Sequence, residues 1–142
     1  MGEAMHFTVK VRHYEADAYG HVNHASYVHY LETARVEALE AIGLSLPDMR
    51  RQGVIAVAAA ISVNYHSPAS PGETLVIATH VREIRGARTL WIQTVSEATT
   101  GRPVVTAEVT GAFLTESGKP LRVPPSFREK LATLHVSEEL EG

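Results

Sequence analysis

The chain has 142 residues, and 13 basic against 16 acidic side chains give a formal charge of −3. That length fits one domain with one core, and 44 % hydrophobic with 20 % charged residues is the balance of an ordinary globular protein. The charge lacks the basic excess of a nucleic-acid module, and the absence of Cys excludes disulfides, thiolate-bound zinc, iron–sulfur clusters and a Cys nucleophile. The longest apolar stretch, residues 54–61, is far shorter than the roughly 20 residues a membrane helix needs. Residues 1–6 carry no basic-then-apolar leader, so a cytoplasmic location is expected. Residues 1–142 are expected to form one domain, loose at 1–5 and 135–142. Eight His are the unusual count.

Residues 6–13 read as a strand with Phe7, Val9 and Val11 on one face. The next stretch, from Tyr14 to His24, is polar and aromatic and has no clear period. From Ala25 the period turns helical: Val28, Leu31, Ala34, Ala38 and Ile42 form a stripe, and Glu32 is placed to meet Arg35 one turn on. Asn23 suits the N-cap and Gly43 the stop, giving a helix of about 19 residues. Alternation over residues 54–66 then predicts a long strand, with a loop at 67–72. Further strands follow at 74–84, 89–97 and 104–114, and a tight connection at 85–88 makes the first two antiparallel. On the last of them Val105, Ala107, Val109 and Phe113 share a face. Residues 126–134 read as a short terminal helix after Pro124 and Pro125. The layout is α+β: a strand, a long helix, then a four-strand antiparallel meander curving around the helix. One helix cannot cover both faces and the edges of such a sheet, which predicts at least a homodimer.

Familiar sites are absent: no Gly-x-Ser-x-Gly, no phosphate-binding Gly loop and no His-Glu-x-x-His. What remains is the polar cluster before the long helix. A helix start offers free amide protons and the positive dipole end, suited to steadying an oxyanion. Gly20 allows close backbone approach, and Asp17, three residues earlier, can point at the same spot. A carboxylate beside such amides is a minimal hydrolase. Each feature also has a plainer reading. Asp17 serves equally as a turn residue, and Tyr14, Tyr19, Tyr27 and Tyr30 as packing. His21 and His24 with Asp17 could hold a metal. Arg82, Arg85 and Arg88 are either a solvated hairpin tip or an anion site.

The run Asp17, Gly20, His21, Val22, Asn23, His24 and Tyr27, leading into Leu31, Glu32, Ala34 and Arg35, resembles the signature of the hotdog-fold acyl-CoA thioesterases, the 4-hydroxybenzoyl-CoA thioesterase and YbgC-like group. Asn64, Tyr65, His66 and Pro68, followed by Gly72, are similar to that family's strand and Pro–Gly turn. The resemblance implies a hotdog fold, a long central helix wrapped by a curved antiparallel sheet of about five strands. It implies hydrolysis of an acyl-CoA to a free acid and coenzyme A, which belongs to the substrate, so no cofactor or metal is expected. Asp17 matches the family's catalytic aspartate, and the backbone amide at His24 matches the donor that polarises the carbonyl. Tyr14, Gly20, His21, Asn23 and Tyr27 fall around the substrate, Asn64 and Tyr65 on the partner subunit's side of the pocket, and Arg85 and Arg88 near the coenzyme phosphates. A dimer, pairing into a dimer of dimers, is implied as well. Glu15 stands where many members have Asp, and Asn23 where some have Tyr. Val22 disfavours the hydratase pattern of an Asp and a His five residues apart. The rivals are a non-catalytic acyl-CoA-binding protein and a metal-dependent hydrolase using Asp17, His21 and His24.

Overall fold

In the computed structural model, which describes residues 2–136, five strands form one antiparallel sheet. They are β1 (Met5–Lys10), β2 (Val54–Tyr65), β3 (Thr74–Arg85), β4 (Arg88–Glu97) and β5 (Pro103–Thr115). The helices are α1 (His24–Ala41), α2 (Leu46–Arg51) and α3 (Pro125–Leu131), with 3-10 turns at His13–Glu15 and Ala132–Leu134. Register shifts at Ala58/Ala60, Val81/Glu83 and Val95/Ser96 bend the long strands, and the curved sheet wraps α1.

The spatial order is β1-β3-β4-β5-β2, so the meander has three strands, not the expected four. β2 pairs with β5, and β1 with β3. The reason lies in residues 66–73. That connection is too long for a tight hairpin, and Pro68 and Pro71 cannot donate to a ladder, so the chain crosses the sheet to β3, beside the opposite edge strand β1. The sequence reading also passed over α2. Its six residues show no period, but Ser45 accepts a hydrogen bond from the Asp48 amide and Pro47 sits in the first turn, both start signals.

α1 begins at His24, directly after the expected N-cap Asn23, and buries Tyr27, Tyr30, Leu31, Ala34, Ala38 and Leu39. The predicted stripe holds at Leu31, Ala34 and Ala38. Val28 and Ile42 are only half-buried, so the buried face is turned toward the two tyrosines. On β5 the alternation is obeyed: Val105, Ala107, Val109 and Phe113 are all buried. Removing Leu31, which has no exposed surface, should cost about 2–5 kcal/mol.

The outer edge strand, β2, is different. Val57, Ile61 and Tyr65 remain 39 %, 42 % and 50 % exposed. A long, Ala-rich strand with one edge unpaired is the surface the alternation flagged as needing cover. Near the two ends the Glu3 amide donates to the Thr133 carbonyl, Met5 opens β1, and the Val136 amide donates to the Val81 carbonyl. Residue 1 and residues 137–142 lie outside the described residues.

Candidate active site

Between β1 and α1 the chain makes a small hairpin-like turn, with Ala16 bridged to Val22. The Asp17 amide donates to the His21 carbonyl at 2.7 Å, and the Gly20 amide to the Asp17 carbonyl at 3.1 Å. Gly20 has φ of +77°, a conformation that any Cβ would strain. The Asp17 carboxylate folds over this turn, its Oδ1 accepting from the Tyr19 and His21 amides at 2.8 and 3.3 Å. Its other oxygen has no partner among the described residues, so one carboxylate oxygen is fixed and one is available.

Glu15 fastens the turn to the helix. Its carbonyl accepts from the Asn23 amide and side chain, and its Oε1 accepts from the Arg12 amide at 2.9 Å and the Tyr30 hydroxyl at 2.7 Å. Burial and then the Glu15 carboxylate push the Tyr30 phenol well above its ordinary range. Sequence reasoning treated Glu15 only as a departure from a family pattern and missed this role, because its partners lie up to 15 residues away in sequence.

At the start of α1 the Asn23 side chain accepts from the Ser26 amide at 2.9 Å, as its N-cap assignment predicts. The amides of His24 and Ala25 have no acceptor among the described residues. They are the free donors of the helix N-terminus. Tyr65 reaches across from β2 and donates its hydroxyl to the His24 carbonyl at 3.2 Å. The 66–73 loop closes the far side. Ala69 accepts from the Val22 amide at 2.8 Å, and its own amide donates to the Tyr27 hydroxyl at 3.1 Å. Arg102 holds that loop through Ser67, the Pro68 carbonyl and Glu73, whose carboxyl is held below its usual range by the Arg102 bond.

Asp17, Gly20, His21, Asn23 and His24 thus meet at one end of α1. Other expected site residues do not. Tyr27 is buried, stacked edge-on to Tyr30, with its hydroxyl committed to Ala69, so it supports the site without facing it. Tyr14 is 63 % exposed and lies edge-on to His13. Asn64 and Tyr65 are strand neighbours and point to opposite faces of the sheet. Only Tyr65 faces a helix start, and that helix is its own chain's.

Arg85 and Arg88 flank the β3–β4 turn. The helix start sits beside the other end of β3, where Thr74 pairs with Lys10, so a strand length of roughly 36 Å separates the arginines from Asp17 within one chain. They cannot serve the same chain's site. Among the described residues no group of three His, Asp or Glu converges as metal ligands, and His21 and His24 are both exposed.

A cavity of about 110 Å³ lies elsewhere, beside the C-terminal half of α1. Leu39, Val57, Trp91, Gly111 and Phe113 line it, with Glu32 and Arg35. Arg35 was expected to pair with Glu32. Instead its Nη1 donates to Gln93 Oε1 at 3.0 Å, and burial draws its guanidinium down from the usual arginine range. The Gln93 side chain has no exposed surface. An arginine over a buried glutamine leaves no periodic trace, and only the register of α1 on β4 brings the two together.

The profile of the thioesterase-like superfamily matches residues 11–131. The chain is 28 % identical to the acyl-acyl carrier protein thioesterase ATL3 of Arabidopsis thaliana, over 92 % of this chain and 68 % of that one. It is 31 % identical to the long-chain acyl-CoA thioesterase FadM of Escherichia coli, over 89 % of this chain and 96 % of that one. The crystal structure of the probable thioesterase YbaW from Escherichia coli superposes with a TM-score of 0.82 at 30 % identity, covering 93 % of this chain and 99 % of that one. Fold, matched span and relatives agree, and the chain is a hotdog-fold enzyme of the thioesterase-like superfamily.

Proposed function

We propose that this protein hydrolyses acyl-CoA thioesters to a free acid and coenzyme A. The observation that carries the reading is the meeting of a half-engaged carboxylate, Asp17, with the unbonded amides of His24 and Ala25 at one helix start. The thioester carbonyl accepts from the His24 amide, and the dipole of α1 steadies the oxyanion as it forms. Asp17 either attacks the carbonyl carbon, expelling the thiolate and leaving a mixed anhydride for water to cleave, or takes a proton from the attacking water. Oδ1 is held by the Tyr19 and His21 amides, which leaves the other oxygen for either role.

The site needs a second copy of the chain. Two copies joined edge to edge along β2 about a two-fold axis run antiparallel. That arrangement covers Val57 and Ile61 and sets the helix start of one copy beside the 54–57 end of the other's β2. The cavity and the Arg85–Arg88 turn lie at that same end; β4 is two strands, roughly 10 Å, in from the β2 edge. Arg85 and Arg88 then serve the partner's substrate, where they are out of reach of their own. The dimer of dimers implied by the family resemblance is a further step of this proposal.

A thiol-release assay across aromatic, short-chain and long-chain acyl-CoAs tests the reading. Turnover on at least one supports it. Coenzyme A bound without thiol release would replace it with a non-catalytic acyl-CoA-binding role, and release that stops on chelation would replace it with a metal-dependent one.

A further inference from the structure

Among the described residues, Arg35 is the one cation on the wall of an otherwise mostly apolar cavity. Its orientation is set from below. The Gln93 amide nitrogen donates to the Leu31 carbonyl and to Thr79 Oγ1, both at 3.0 Å, so the glutamine oxygen must face Arg35. That oxygen takes one guanidinium N–H at 3.0 Å. A guanidinium carries five such donors, and among the described residues no carboxylate lies within ion-pair distance of it. Among the described residues no Arg35 nitrogen is both buried and unbonded, so the remaining donors have exposed surface, and Arg35 lines the cavity. The opposite wall is kept thin at Gly111, where a Cβ would stand 2.7 Å from Thr89 Oγ1 and 3.4 Å from the Trp91 indole nitrogen.

We infer that Arg35 is a specificity-determining residue that selects acyl groups carrying an oxygen acceptor remote from the thioester. The inference rests on the thioester-hydrolase reading above. A plain hydrocarbon chain filling this cavity strips water from the free N–H groups and returns nothing. A chain of the same length bearing a hydroxyl or carboxylate at that depth replaces the lost water. Glu32, also on the wall, gives a hydroxyl an acceptor for its own proton. Discrimination of this kind rests on a donor that must be matched. In the dimer proposed above the cavity lies beside the partner copy's helix start, so Arg35 meets the acyl chain away from the thioester carbon.

The test compares kcat/KM for saturated acyl-CoAs, from octanoyl to palmitoyl, with their ω-hydroxy and ω-carboxy counterparts. The wild-type enzyme should prefer an oxygenated member of at least one length-matched pair by about ten- to a hundred-fold. Arg35→Met should erase the preference, mainly through KM, and Arg35→Lys should restore part of it. The ratio within each pair is independent of how much of a variant is folded, and thermal melts record stability separately. Equal turnover of every pair by the wild type, or a preference that survives Arg35→Met, overturns the inference and leaves the hydrolase reading intact. Failure to hydrolyse any member overturns both.

Discussion

The two ends of α1 solve opposite problems. At its start a frame surrounds a few free groups: Glu15, Asn23, Tyr27, Tyr30 and Tyr65 hold the turn, the helix and the 66–73 loop together by hydrogen bonds. Further along there is space, apolar surface and one under-partnered arginine. The Asp17 carboxylate and the free helix-start amides lie at one end, and the cavity lies toward the other. The two-fold proposed along the exposed edge of β2 would bring one copy's helix start to the other's cavity.

The comparison breaks first at Asp17. Asp17→Asn keeps an oxygen to accept from the Tyr19 and His21 amides, so the turn should survive. Loss of the nucleophile or base should lower kcat/KM by about a thousand-fold. Thiol release measured beside a thermal melt checks it, and an unchanged rate would remove Asp17 from the mechanism. Next in size is the β2 edge. Ile61 is 42 % exposed, so Ile61→Glu should not unfold a single chain. It should drive the sedimenting species to monomer and abolish most activity with Asp17 untouched. A fully active monomer would show that one chain holds a complete site.

Much of the fold was legible because it is periodic. The helix, the long strands and the buried face of β5 follow from spacing alone, and Asn23 announces the helix start by its chemistry. Strand order was not legible. Antiparallel strands read alike whichever neighbour they take, and only the two prolines in the loop after β2 warned against a hairpin. The site divides the same way. Asp17 through His24 are contiguous in sequence and were read as a group. Glu15–Tyr30 and Arg35–Gln93 are joined by tertiary contact across 15 and 58 residues, where no spacing rule operates. Arg85 and Arg88 cluster in sequence, but that cluster gives no position relative to a helix start a strand length away.

The frame around Asp17 can be loosened without touching it. Tyr30→Phe removes the hydroxyl that donates to Glu15 at 2.7 Å and keeps the ring against Tyr27. One charged acceptor then loses a partly buried donor, a cost of about 1.5–3 kcal/mol in stability. If Glu15 positions the turn, kcat should fall several-fold with KM nearly unchanged, and the melting temperature should drop. A stability loss with kcat intact would make the staple purely structural.

The smallest effect belongs to the β4–β5 turn, away from the cavity. The Glu97 carboxylate accepts from the Thr100 amide and hydroxyl and from the Thr99 amide, and these bonds lower its pKa to about 2. An unfolded glutamate titrates near ~4.3. The folded value is depressed, so this contribution to stability is present above the unfolded pKa and is lost as pH falls from there toward the folded one. Denaturant midpoints of the wild type should therefore decline over that acid window. Glu97→Gln keeps an acceptor for the turn but has no proton to take up, so its midpoint should decline less over the same window. Parallel profiles for the two proteins would assign the acid response to other carboxylates, Glu73 beside Arg102 first among them.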